Sequence, residues 1–157
     1  IRDSYLSIVI KMLIQVKILI FATGWMLFRA IGSGLFLSLT FLGSPRSAPP
    51  EWIIAFLGDF MIGTSALFLA YLVWKKPSSF LWGILIAWNS VGIFDLIGAL
   101  SLTFTTPYSP LPEIGLNEIG VRIVLSLNTI IQLIALTIMF RPNVKSYFNL
   151  GNHNSLK

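Results

Sequence analysis

The chain has no cysteine and only one histidine, His153, among its 157 residues. Disulfides, Fe–S clusters, thiolate metal sites and cysteine nucleophiles are therefore out of reach. With His153 in a polar tail, no His–carboxylate dyad, His-ligated zinc, haem or chlorophyll can be assembled between apolar helices. Charge is equally scarce: 11 Lys+Arg and 6 Asp+Glu stand against 55 % hydrophobic residues. That is too little polar surface to cover a water-soluble globule, which excludes soluble enzymes and disordered tails. Phosphate-binding and nucleophile-elbow signatures are missing as well, since Gly32-Ser33-Gly34 has neither the strand nor the lysine that a P-loop needs. The net charge of +5 does not indicate nucleic acid, because the basic residues lie singly or in pairs between apolar runs.

What the chain has is long apolar stretches, reflected in a mean hydropathy of +0.83. A spanning helix needs about 20 mostly apolar residues, and four stretches qualify, near residues 18–42, 51–74, 79–104 and 120–140. Proline marks the separators: Pro45 with Pro49-Pro50, Lys75-Lys76-Pro77, then Pro107, Pro110 and Pro112, and finally Arg141-Pro142. The expectation is an all-α, four-transmembrane-helix bundle forming a single domain, 1–157, with a polar tail at 141–157. Residues 4–42 as one straight helix would be about 58 Å long, well beyond the ~30 Å hydrocarbon core, so the chain must bend or emerge. Ser4, Ser7, Lys11 and Gln15 recur every three or four residues opposite Leu6, Ile8, Val9, Met12, Leu13 and Val16. This spacing predicts an N-terminal amphipathic helix at 1–17, along the membrane surface or extending from it, with Gly24 as a candidate kink.

Orientation follows from counting Lys and Arg. One side holds Arg2, Lys11, Lys17, Lys75, Lys76, Arg141, Lys145 and Lys157, while loops 43–50 and 105–119 on the other side hold Arg46 alone. The positive-inside rule then puts both termini on the cytoplasmic side, or its organellar equivalent. Trp52 reads as an aromatic anchor at the outer start of span two, and Tyr71, Trp74 and Trp82 as anchors at inner ends.

The residues that hydrophobicity should have excluded are Arg29 in span one, Asp59 in span two and Asp95 in span three. Each costs about 3 kcal/mol at mid-helix on insertion scales. Counted inward from the outer ends, Asp59, Asp95 and Asn128 share one level, about 12–14 Å deep. Arg29 lies deeper but has a side chain long enough to reach an aspartate. With Asn89 and Gln132 nearby, an intramembrane polar cluster of Arg29, Asp59, Asn89, Asp95, Asn128 and Gln132 is expected. Its role is either register-fixing with interhelical hydrogen bonds, or proton or cation turnover on the excess carboxylate, or a headgroup or cofactor site. Small residues form two further stripes, Gly63, Ala66 and Ala70 on span two and Gly83, Ala87 and Ser90 on span three, which predicts close packing of these two spans.

Gly58-Asp59 with Gly63, then Ala87-Trp88-Asn89 with Gly92, Asp95 and Leu96, preceded by Arg29 and Gly32, resembles a pattern in small, uncharacterised bacterial polytopic membrane proteins. The resemblance covers residues 25–105. It implies a bacterial inner-membrane protein and no particular activity. A chain with such short loops has helix faces as its working surface. The expected function is a non-catalytic accessory or assembly subunit, partnered by lipids and larger membrane subunits. No cofactor is implied beyond lipid, quinone or pigment contacts. The alternative is a small homo-oligomeric transporter or channel using Asp59 and Asp95.

Overall fold

The computed structural model describes the backbone of residues 2–154 and the side chains of residues 10–149. Its elements are all helical: α1 Arg2–Trp25, α2 Leu27–Phe41, α3 Trp52–Lys75, α4 Ser79–Thr105, α5 Glu118–Met139 and α6 Pro142–Asn154, with a single 3-10 turn at Pro112–Ile114. Their boundaries have local causes. Pro77 and Pro107 cannot continue a helix and push the preceding residue out of the α region, so α3 and α4 end just before them. Ser78 caps α4 by accepting the Leu81 N–H at 3.1 Å, and Asn117 caps α5 through Gly120 N–H at 2.9 Å. Pro142 occupies the first turn of α6, where its missing N–H leaves no helical bond unmade.

Among the described residues four helical segments are long and apolar enough to cross a membrane: Ile10–Phe41, Trp52–Lys75, Ser79–Thr105 and Glu118–Met139. These match the expected spans except at the N-terminus. There α1 runs unbroken through residue 17, so the segment is a helical extension of span one and not a separate surface helix. Of its expected faces, Lys11 is exposed and Val16 buried as the spacing requires, while Gln15 is half-buried and Leu13 exposed. Ser4 and Ser7 lie outside the residues whose side chains are described. The helix is interrupted two residues past Gly24. Met26 alone joins α1 to α2, and the turns tighten there, with Met26 N–H reaching Thr23 O and Arg29 N–H reaching Met26 O.

This interruption divides the packing. Below it, towards the end that carries the 76–78 turn, α1 lies against α3, α5 and α6; above it, towards loops 42–51 and 106–117, α2 lies chiefly against α3. The half at the 76–78 turn is filled by Leu19, Val73, Leu85 and Met139, all fully buried, and Val144 and Phe148 of α6 join the same core. The helix at the start of the polar tail thus packs on the bundle through residues 144–148. Val144, Tyr147 and Phe148 form an apolar stripe at helical spacing that folds back onto α1 and α4. The side chain of His153 lies outside the described residues.

At the opposite end Trp52 is buried beneath the loops, not anchored at a membrane interface. Its ring packs on Phe56 and Tyr108, and Nε1 donates to Thr106 O at 2.8 Å. The Tyr108 hydroxyl, whose pKa burial raises above its ordinary value, donates to Arg46 O at 2.8 Å. Arg46 also pairs with Glu113 at 2.6 Å, though both side chains are about half exposed and the pair adds little stability. Tyr71 and Trp74 are exposed, whereas Trp82 is half-buried and donates its indole N–H to Met139 O at 3.0 Å.

The two small-residue stripes differ in fate. Gly63, Ala66 and Ala70 are buried, and a Cβ on Gly63 would overlap the backbone of Ala30, so this stripe seats span one. Gly83, Ala87 and Ser90 are exposed, which corrects the expectation that they face span two. Spans two and three do pack together, but at Gly58, where a Cβ would overlap the Asp95 carboxylate.

Candidate functional site: an ion cluster between the spans

Arg29 stands in the first turn of α2, immediately after the interruption, and its side chain is 1 % exposed. It is the hub of the polar cluster. Nε donates to Asp59 Oδ1 at 2.6 Å, and Nη2 lies 2.6 Å from that same oxygen and 2.7 Å from Asp95 Oδ2. Nη1 donates to Gln132 Oε1 at 2.9 Å, with Gly92 O at 3.4 Å. One guanidinium therefore ties α2 to α3, α4 and α5. The planar fork of arginine suits this task, because it offers five N–H donors in fixed directions. Its backbone is held too, as the Ser33 hydroxyl donates to Arg29 O at 2.6 Å.

Two glycines make room for the network. Gly58 admits the Asp95 carboxylate, and at Gly92 a Cβ would overlap the Gln132 amide. Both stood in the sequence pattern next to the charges, but their role follows from the close approach of neighbouring helices, which spacing within one helix does not reveal.

Of the six residues expected in the cluster, four come together: Arg29, Asp59, Asp95 and Gln132. Asn128 sits beside them in a second pair, accepting the Trp25 indole N–H at 3.1 Å while its own amide donates to Val124 O. Trp25 is the participant that sequence reading missed. Its depth in span one was the available signal, because an indole N–H far from the interface needs an acceptor. Asn89 is fully buried but separate, donating to Leu85 O at 2.9 Å and towards Met139 Sδ at 3.6 Å. Arg122, at the start of α5, holds the end of α4 instead, through Thr103 O at 2.8 Å and Thr103 Oγ1 at 3.2 Å.

The formal charges do not balance: one cation faces two carboxylates in surroundings where an uncompensated charge is costly. Two openings reach the cluster. Between α2 and α5 a cavity of about 120 Å³, walled by Phe28, Phe36, Trp52 and Phe56, descends to Arg29, Asp59 and Asn128. That is somewhat less than the roughly 150 Å³ of an engineered cavity that holds benzene. Between α3 and α4 an open groove reaches Asp95. Towards the 76–78 turn the described residues close the bundle with a fully buried apolar layer of Leu19, Val73, Leu85 and Met139. No family model, no curated protein and no solved structure matches the chain.

Proposed function

We propose that this chain is a non-catalytic membrane subunit that works through its helix faces, packing beside larger membrane subunits and lipids, and that the Arg29 cluster sets the arrangement of its spans. One observation carries this reading: all three guanidinium nitrogens of Arg29 are engaged by acceptors on three different helices. A group held on every side serves as a register-fixing tie. A transporter or channel on Asp59 and Asp95 would also need a route from the cluster to the 76–78 end, where the packed apolar layer stands. The exposed aromatic residues along the spans, among them Phe28, Phe68, Phe80 and Phe94, suit contacts with lipid, quinone, pigment or another subunit.

Purification of the native protein in a mild detergent, followed by mass spectrometry, tests the reading. Larger subunits in fixed stoichiometry are the expected result. Copies of this chain alone would overturn it in favour of the homo-oligomeric transporter.

The proposed location is a bacterial inner membrane or its organellar equivalent, with both termini on the cytoplasmic side. The resemblance of the Arg29 to Asp95 pattern to bacterial polytopic proteins and the asymmetry of Lys and Arg support it. The chain has no native cysteine, so single cysteines report cleanly. Ser47, Ser109 and Lys76 are exposed positions. An impermeant thiol reagent added outside should label Ser47→Cys and Ser109→Cys and leave Lys76→Cys untouched. Labelling at residue 76 with protection at the other two would invert the topology.

A further inference from the structure

The excess carboxylate of the cluster faces outward in one direction. Asp95 keeps 18 % of its side chain exposed and lines the groove between α3 and α4, an opening of about 480 Å³. The groove begins at Glu51, which precedes α3, and reaches Asp95 about 12 Å deeper, counting 1.5 Å for each residue from Glu51 to the level of Asp59. Acidic groups thus stand at its rim and at its depth, and no Lys, Arg or His lines it. The floor contains Ala55 and Gly98, while Ile54 and Phe94, 80 % and 81 % exposed, rise beside it. Small residues on such a floor let a neighbouring helix backbone approach closely.

We infer that this groove seats a transmembrane helix of a partner that carries a lysine or arginine opposite Asp95. The inference rests on the subunit reading above and names what the partner brings. One cation placed there would neutralise the cluster, which otherwise sets two carboxylates against a single guanidinium. A second copy of this chain does not meet the requirement. At the level of Asp95 the basic residue among the described residues is Arg29, and it is enclosed. The other described basic side chains lie towards the ends of the spans.

The test uses the full chain in phosphatidylcholine vesicles, with a donor fluorophore on Ser47→Cys. The probes are two single-span Leu/Ala peptides bearing an acceptor. One carries a lysine at the depth of Asp95; the other has leucine there. The lysine peptide should associate about tenfold more tightly, the scale of a modest interhelical polar contact. Gly98→Phe should abolish the difference by filling the floor. A Cβ at Gly98 meets no atom within 4 Å, so the new side chain starts out into open space. Gly83→Phe, equally unobstructed but outside the groove, should preserve the difference. Equal association of both peptides, or a preference that survives Gly98→Phe, overturns the inference. That failure is distinguishable from failure of the subunit reading, which is judged by what co-purifies from native membranes.

Discussion

Replacing Arg29 with leucine is expected to destabilise the protein by about 3–5 kcal/mol, the usual range when one partner of a buried ion pair is removed. The structure sharpens the pattern of rescue. Arg29 bridges both Asp59 and Asp95, so neutralising one aspartate leaves the other uncompensated in the same low-dielectric site. The double variant Arg29→Leu/Asp59→Asn should therefore recover only part of the loss. The triple variant Arg29→Leu/Asp59→Asn/Asp95→Asn removes every formal charge and should recover most of it, because amides retain hydrogen bonding without the cost of a buried ion. Thermal midpoints in a single detergent measure all three. An unchanged midpoint for Arg29→Leu would mean that the guanidinium carries no structural burden, and the cluster as a tie between the spans would be lost. The triple variant also separates two properties of the molecule. It should be folded, yet it lacks the carboxylate that the α3/α4 groove offers to a cationic helix, so stability and partner retention are expected to part company.

Much of this site was readable from residue order, for a physical reason. Charges within an apolar span are so costly that they must meet one another, and the fixed rise of a helix turns sequence position into depth. Asp59 and Asp95 could thus be placed on one level before any contact was known, and the reach of an arginine side chain supplied the link to Arg29. Depth does not give rotation about each helix axis. Gln132 and Asn89 were equal candidates by depth, yet Gln132 faces Arg29 while Asn89 turns to Leu85 O and Met139. Rotation also explains the span-three stripe: small residues permit a close helix approach but do not say which neighbour makes it, and Gly83, Ala87 and Ser90 turn outward. The return of α6 was visible as Val144, Tyr147 and Phe148 at helical spacing, but the polar residues around them dominated the composition of residues 141–157. Trp52 looked interfacial because its place at a helix end matches an anchor; the loop that covers it follows it by more than fifty residues and could not be docked from the sequence.

Adding a single methyl group at Gly63 is expected to cost about 1–3 kcal/mol, the range for overpacking a filled interface. An alanine Cβ there would overlap the nitrogen, Cα and Cβ of Ala30. Because the obstruction is backbone and not the tip of a flexible side chain, α2 and α3 would have to separate. Ala30 follows Arg29 directly, so that separation also pulls the guanidinium away from Asp59, whose contact at 2.6 Å has little slack. Gly32→Ala, one turn away on the same helix as Arg29, is the matched control. A Cβ at Gly32 meets no atom within 4 Å, and exchanging glycine for alanine inside a helix contributes up to about 1 kcal/mol of stability. Thermal midpoints should therefore move in opposite directions for the two substitutions, although the chemical change is identical. If Gly63→Ala matches or exceeds the unaltered protein, α2 and α3 do not cross closely at this point, and the geometry that lets Arg29 reach three neighbouring helices would have to be redrawn.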